Sequence, residues 1–169
     1  IANDVGLSAG TETVDVNGFQ FGMSGVIGTS AAAGLLNVID TAGGGRLTLS
    51  GFNIYAGGTS MTNVTVSIGG DSGLGLGGTA VSMTNSTLEF TGSFNDSARP
   101  YTLNGVSDTF APAALQSVIL HGTIGGAATL VKTDTGTLTL TAVNSYAGGT
   151  QIADGTLSVS ADANLGAAG

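Results

Sequence analysis

Residues 45–75 read GRLTLSGFNIYAGGTSMTNVTVSIGGDSGLG, and residues 136–166 read GTLTLTAVNSYAGGTQIADGTLSVSADANLG. The two stretches align without a gap at an offset of 91, with 15 of 31 positions identical. Most of the differences keep their chemistry: Met61 faces Ile152, Val66 faces Leu157 and Ile68 faces Val159. Upstream, Ser24-Gly25-Val26-Ile27-Gly28 matches His121-Gly122-Thr123-Ile124-Gly125, with about six extra residues in the first copy near Ala31 to Ile39. The chain therefore carries a duplicated unit, with copies at about 14–75 and 113–166. A repeat read this way fixes the architecture before any single residue does.

A shorter beat runs inside each copy. Strand-like pieces centre on Leu47, Val66, Leu88, Val118, Leu138 and Leu157, at intervals of 19, 22, 30, 20 and 19 residues. Each alternates an aliphatic residue with Thr or Ser, as in Leu138-Thr139-Leu140, which is the period-two signature of a half-buried strand. Gly57-Gly58-Thr59, Gly69-Gly70-Asp71, Gly77-Gly78-Thr79 and Gly148-Gly149-Thr150 punctuate the pieces as turns. Helical periodicity is nearly absent, and only residues 30–39 and 111–117 read as short helical turns.

Strands recurring every ~20 residues fit a parallel β-solenoid, in which each coil stacks on the one before. A sandwich places turns every ~8–12 residues and fills its core with large side chains. Here Trp and Cys are absent, so the expected interior is Val, Ile, Leu and Ala. The reading is an all-β, right-handed parallel β-helix of roughly eight coils, about 40 Å long, filling residues 1–169 as a single domain.

Composition removes several functions. The chain has 3 Lys+Arg against 11 Asp+Glu, a formal charge of −8, which excludes a phosphate-neutralising nucleic-acid surface. Mean hydropathy is +0.38, yet the longest apolar run, Ala31 to Ile39, is broken by Gly34 and Asn37 and falls short of a spanning helix. Without cysteine there is no disulfide framework and no thiolate metal site. The start at Ile1 reads as the cut edge of a longer chain.

The stretch LVKTDTGTLTLTAVNSYAGGTQIADGTLSVSADANLG, from Leu130 to Gly166, resembles the passenger-associated β-strand repeat of bacterial autotransporters. The resemblance rests on Leu130, Lys132, Gly136, Thr137, Leu138, Leu140, Asn144, Tyr146, Gly148, Gly149, Thr150, Gly155, Thr156, Leu157, Leu165 and Gly166. The first copy matches at Asn53, Tyr55, Gly57, Gly58 and Thr59 but has no equivalent Lys, and Val64 stands where the second has Gly155. The resemblance implies a β-helical stalk, secreted or held at the surface of a Gram-negative bacterium. It implies export through a C-terminal outer-membrane translocator barrel of the parent chain. A host-cell or matrix ligand, or self-association, is the partner such a stalk would take.

The candidate chemistry is sparse. His121 is the chain's one histidine and aligns with Ser24, so it reads as a coil-corner residue and not a triad base or metal ligand. The acids are scattered along the sequence, although carboxylates ~20 residues apart meet across coils, so a polysaccharide lyase or glycosidase of the same fold is the alternative. Gly69-Gly70-Asp71 and Gly43-Gly44-Gly45 lack the full calcium nonapeptide and read as tight corners. Glu89 and His121 interrupt the Thr-bearing outer surface that ice binding would need. Asn53 and Asn144 are expected to bond their own turns, with Tyr55 and Tyr146 covering the corners. No catalytic, cofactor or metal residue is assigned, and the expectation is a non-enzymatic protein.

Overall fold

The computed structural model describes residues 4–28 and 33–167. The first coil carries β1 (Thr11–Asp15) and β2 (Gln20–Met23), the second β3 (Leu35–Ile39) and β4 (Arg46–Leu49), and the third β5 (Thr59–Thr62) and β6 (Thr65–Ile68). Three-strand coils follow. The fourth has β7 (Val81–Thr84), β8 (Thr87–Phe90) and β9 (Phe94–Asn95), and the fifth has β10 (Tyr101–Asn104), β11 (Ser107–Pro112) and β12 (Ser117–Leu120). The sixth has β13 (Ile124–Gly126), β14 (Thr129–Lys132) and β15 (Thr137–Leu140), and the last β16 (Thr150–Ile152) and β17 (Thr156–Val159).

These strands stack into three parallel sheets, one on each face of the coil. The first face is β1-β3-β5-β7-β10-β13, the second β2-β4-β6-β8-β11-β14-β16 and the third β9-β12-β15-β17. Where the early coils have no strand on the third face, pairing persists through a Val5–Ile27 bridge and a 2.9 Å bond from the Ile54 N–H to the Ile27 carbonyl.

The seven-stranded second face gives seven coils where the ~20-residue beat predicts roughly eight. Its register pairs Gln20 with Arg46 and Arg46 with Thr65, then steps 22 residues at a time from Val66 to Leu88 to Phe110 to Lys132. The coil is thus longer than its commonest interval suggests, and seven strands ~4.8 Å apart span about 29 Å. The 30-residue gap between Leu88 and Val118 is no irregularity, because Leu88 lies on the second face and Val118 on the third.

Alternation decides which residues turn inward. On the second face Phe21, Leu47, Val66, Leu88 and Phe110 form one inward column, while Thr65, Thr87 and Thr109 form an outward one. Each buried Leu or Val contributes roughly 1.5–3 kcal/mol, and stacking places that contribution at every coil interface.

The interior departs from the all-aliphatic expectation. Tyr55, Phe90, Tyr101, Phe110 and Tyr146 are buried within it. Phe90 stacks on Phe110 with centroids 6.0 Å apart, and Tyr101 meets Phe110 edge-on at 5.5 Å. In a parallel stack, like side chains meet their neighbours one coil on, so few aromatics suffice to form a column. Among the described residues the two expected helical turns are absent as well. Residues 35–39 form β3, Ala111 and Pro112 end β11, residues 113–116 make a corner, and residues 29–32 lie outside the described part. Short 3-10 turns occur instead at Asp71–Leu74 and Asp162–Leu165. Among the described residues, no helix is long and apolar enough to cross a membrane.

Candidate functional site

The Asn-x-Tyr-x-Gly-Gly-Thr motif lies inside the rod. Asn53 accepts the Ile27 N–H at 2.9 Å and donates its amide to the Gly73 carbonyl at 2.8 Å. Asn144 repeats this, accepting from Ile124 at 2.8 Å and donating to Asn164 at 2.7 Å. Each asparagine therefore bonds the coil before and the coil after, which corrects the expectation that it closes its own turn. An amide is suited to the task because it presents a donor and an acceptor at opposite ends of one planar group.

The tyrosines are likewise internal. Tyr55 and Tyr146 are 0 % exposed, and their hydroxyls meet the Thr59 and Thr150 hydroxyls at 2.8 and 2.7 Å. Each ring lies against a glycine of the next coil. A Cβ on Gly75 would sit 2.7 Å from the Tyr55 ring, and one on Gly166 would sit 2.9 Å from the Tyr146 ring. The closing Leu-Gly of each copy thus makes room for the tyrosine that opened the motif. The remaining motif glycines divide in function. Gly58 and Gly149 take positive φ, whereas Gly57 and Gly148 lie against the backbone of the preceding coil.

The passenger-associated-transport-repeat family model matches residues 41–62 and 130–159, which contain both copies of this motif. An adhesin autotransporter, BmaC of Brucella suis biovar 1 (strain 1330), is 40% identical over 86 residues, covering 51% of this chain and 2% of that protein. No solved structure matches the chain significantly. Residues 41–62 and 130–159 are passenger-associated transport repeats.

Repeats of this kind place the chain at the cell surface of a Gram-negative bacterium or secreted from it. Its two repeat copies do not stack in phase. Leu47 lies in β4 on the second face and its counterpart Leu138 in β15 on the third, while Thr59 is on the first face and Thr150 on the second. An offset of 91 residues therefore exceeds a whole number of coils by one face, and equivalent surface residues of the passenger point in different directions.

Two of the three basic residues are buried. Lys132 occupies the inward column beyond Phe110 and donates from Nζ to the Thr133, Asp134 and Asp154 carbonyls at 2.6, 2.7 and 3.2 Å. Burial holds its pKa below the ordinary lysine value, against the opposing pull of Asp134 and Asp154. Arg99, 0 % exposed, grips Asp71 from Nε at 2.5 Å and donates to the Leu74 and Gly75 carbonyls at 3.1 and 2.8 Å. It ties the 3-10 turn to the following coil. Sequence reading matches Lys132 to the repeat without giving it a task, and counts Arg99 only as one of three strong bases.

The passenger's acids are engaged one by one. Asp40 accepts N–H groups from Gly18, Ala42, Gly43 and Gly45; burial raises its pKa, but these four bonds outweigh it and hold the carboxyl below its usual range. Asp108 accepts from Ser86 and Asn104, and here burial prevails and raises the pKa. Glu89 pairs with Arg46 across two coils. Asp96 accepts the backbone N–H of Ala98 and of His121, and the His121 ring stands at the corner with Nδ1 3.5 Å from the same carboxylate. Among the described residues, no group of three or more His, Cys, Asp or Glu is placed to hold a metal ion.

The three tyrosines predict the alkaline limit of the passenger. Burial raises the Tyr55 pKa from 10.0 to about 12, and burial also raises those of Tyr101 and Tyr146. The unfolded chain then loses phenol protons that the fold retains, so the Tyr55 share of the stabilisation is full below pH 10 and disappears between pH 10 and pH 12. For Tyr55 this corresponds to roughly 2–3 kcal/mol. Denaturant midpoints should fall across that window, with tyrosinate absorbance rising together with unfolding. A Tyr55→Phe variant should show a shallower fall.

Proposed function

We propose that this chain is a non-enzymatic stalk segment of an autotransporter passenger, which supports its own export and surface display after passage through the parent's C-terminal barrel. The observation that carries the reading is the use of the motif's polar atoms. Asn53, Asn144, Tyr55 and Tyr146 all bond within the rod, so the most repeated residues stack coils and present no chemistry to solvent. Contacts between neighbouring coils let each emerging coil fold onto the last, without long-range pairing. A chain free of cysteine also threads a pore without premature disulfides.

Display tests this directly. With the segment fused to a translocator barrel, the Asn53→Ala, Asn144→Ala double variant should show reduced protease-accessible material at the cell surface. Equal display of both forms would overturn the export role. Release of new reducing ends or unsaturated products from a polysaccharide panel would overturn the non-enzymatic part and favour the lyase or glycosidase alternative.

A second reading, side-by-side self-association, draws on the first face. Ser60, Ser82 and Thr102 form one outward row in register, and Thr62, Thr84 and Asn104 form another. Such flat uncharged rows suit pairing between two rods. Sedimentation should then shift with concentration, and a strictly monomeric result would remove this reading.

A further inference from the structure

Beside the first Asn-x-Tyr motif, Phe52, Asn53, Asp71, Ser72, Gly75, Leu76 and Gly77 line a cleft of about 290 Å³. Phe52, 70% exposed, forms its wall; Phe19 is the other aromatic exposed to this degree, and Val106, Leu115 and Val143 are exposed aliphatics elsewhere on the rod. The cleft is also lined by Asp71, whose side chain is 20% exposed and fixed in orientation by Arg99 through Nε at 2.5 Å and a second guanidinium nitrogen at 3.2 Å. Asn53 is committed to the neighbouring coils, whereas the Ser72 hydroxyl has no bonding partner among the described residues.

We propose that this cleft binds one neutral pyranose ring, its C–H face on Phe52 and its hydroxyls on Asp71 and Ser72. A volume near the small end of ligand pockets suits a single ring. An aromatic ring sharing a cleft with a fixed carboxylate and a hydroxyl matches the two-sided character of a sugar. Charge selects the class. Arg99 and Lys132 are buried and Arg46 is paired with Glu89, so no free cation stands ready for a sulfate or a sugar acid. Because Arg99 already neutralises Asp71, a cationic ligand gains little, while the remaining carboxylate lone pairs still accept neutral hydroxyls. The second repeat copy serves as an internal control, with Val143, Ala163 and Ala167 in place of Phe52, Ser72 and Leu76.

Saturation-transfer NMR on the chain, with methyl glucoside, galactoside, mannoside and N-acetylglucosaminide, and choline as a cationic probe, tests the site. At least one neutral glycoside should bind with a dissociation constant on the order of 1 mM. Phe52→Ala should weaken it about fivefold or more, Phe52→Tyr should retain it, and Val143→Ala should leave it unchanged. The exposed position of Phe52 keeps these variants folded, which thermal melting verifies. Silence from all four glycosides, binding indifferent to Phe52→Ala, or response to choline alone overturns the proposal. The display test turns on the coil-bridging amides and the binding test on the Phe52 ring, so either idea can fail without the other.

Discussion

Replacing Arg99 with alanine should lower the stability of the fold by about 3–5 kcal/mol, the range for breaking a buried charge pair, and the melting temperature by roughly 10 °C. The size follows from what the substitution leaves behind. The Asp71 carboxylate loses its partner, and the Leu74 and Gly75 carbonyls lose donors inside the rod. The space of a large side chain that is 0 % exposed also empties. Arg99→Lys should recover little, because three ammonium protons cannot reproduce a planar fork that reaches Nε, Nη1 and Nη2 partners together. Arg46→Ala is the contrasting case. Its pair with Glu89 is 35% and 23% exposed, and the loss should be about 1 kcal/mol or less. Because coils interact only with their neighbours, the Arg99→Ala defect should also weaken hydrogen-exchange protection most in coils three to five. A variant that melts with the parent protein would show that Arg99 does not hold the 3-10 turn.

The parts of this fold that were legible in the sequence are those governed by periodicity. Leu138-Thr139-Leu140 declares its inward and outward residues through alternation alone, and β15 buries the two leucines accordingly. Leu47, Val66, Leu88, Val118, Leu138 and Leu157 all fall in strands for the same reason. What alternation cannot convey is which face a strand occupies. The step from Leu88 to Val118 changes face, and the coil count fell from eight to seven when register replaced spacing. The motif's task was hidden differently. Asn53 reads as a turn residue in any local window, and only the stacking of Ile27 and Gly73 around it reveals a bridge between coils. Lys132 did leave a trace, since the strand Leu130-Val131-Lys132 puts it in phase with a buried leucine. Arg99, in the irregular segment before Pro100, left none: its partners lie 20 to 28 residues back, and the Gly69-Gly70-Asp71 turn shows locally no sign of the cation it meets.

Of the glycine pair in the second motif, Gly148 should prove far less replaceable than Gly149. A Cβ on Gly148 would lie 2.3 Å from the Ala128 carbonyl carbon and from the Thr129 nitrogen, both backbone atoms of the preceding coil. Nothing flexible is present to yield, so the coils must separate where the Leu130 N–H bonds the Gly149 carbonyl and the Thr129 hydroxyl bonds the Gly148 carbonyl. Gly148→Ala should therefore cost about 3 kcal/mol or more, the upper range of overpacking. Gly149 is the opposite case, with φ +78° and open space around its absent Cβ. Gly149→Ala incurs only the left-handed backbone strain, about 1–2 kcal/mol. Urea midpoints should accordingly fall in the order parent, Gly149→Ala, Gly148→Ala. The reverse order would mean that coil spacing at this corner is not set by contact with the backbone below. A Cβ on Gly57 would likewise lie 2.5 Å from the Gly34 carbonyl, so Gly57→Ala should repeat the large loss one motif earlier. The ranking thus separates two reasons for a Gly-Gly pair in the second motif, where Gly148 permits coils to touch and Gly149 only turns the chain, whereas Gly58 of the first motif does both, its Cβ position lying 2.5 Å from the Ala80 carbonyl oxygen.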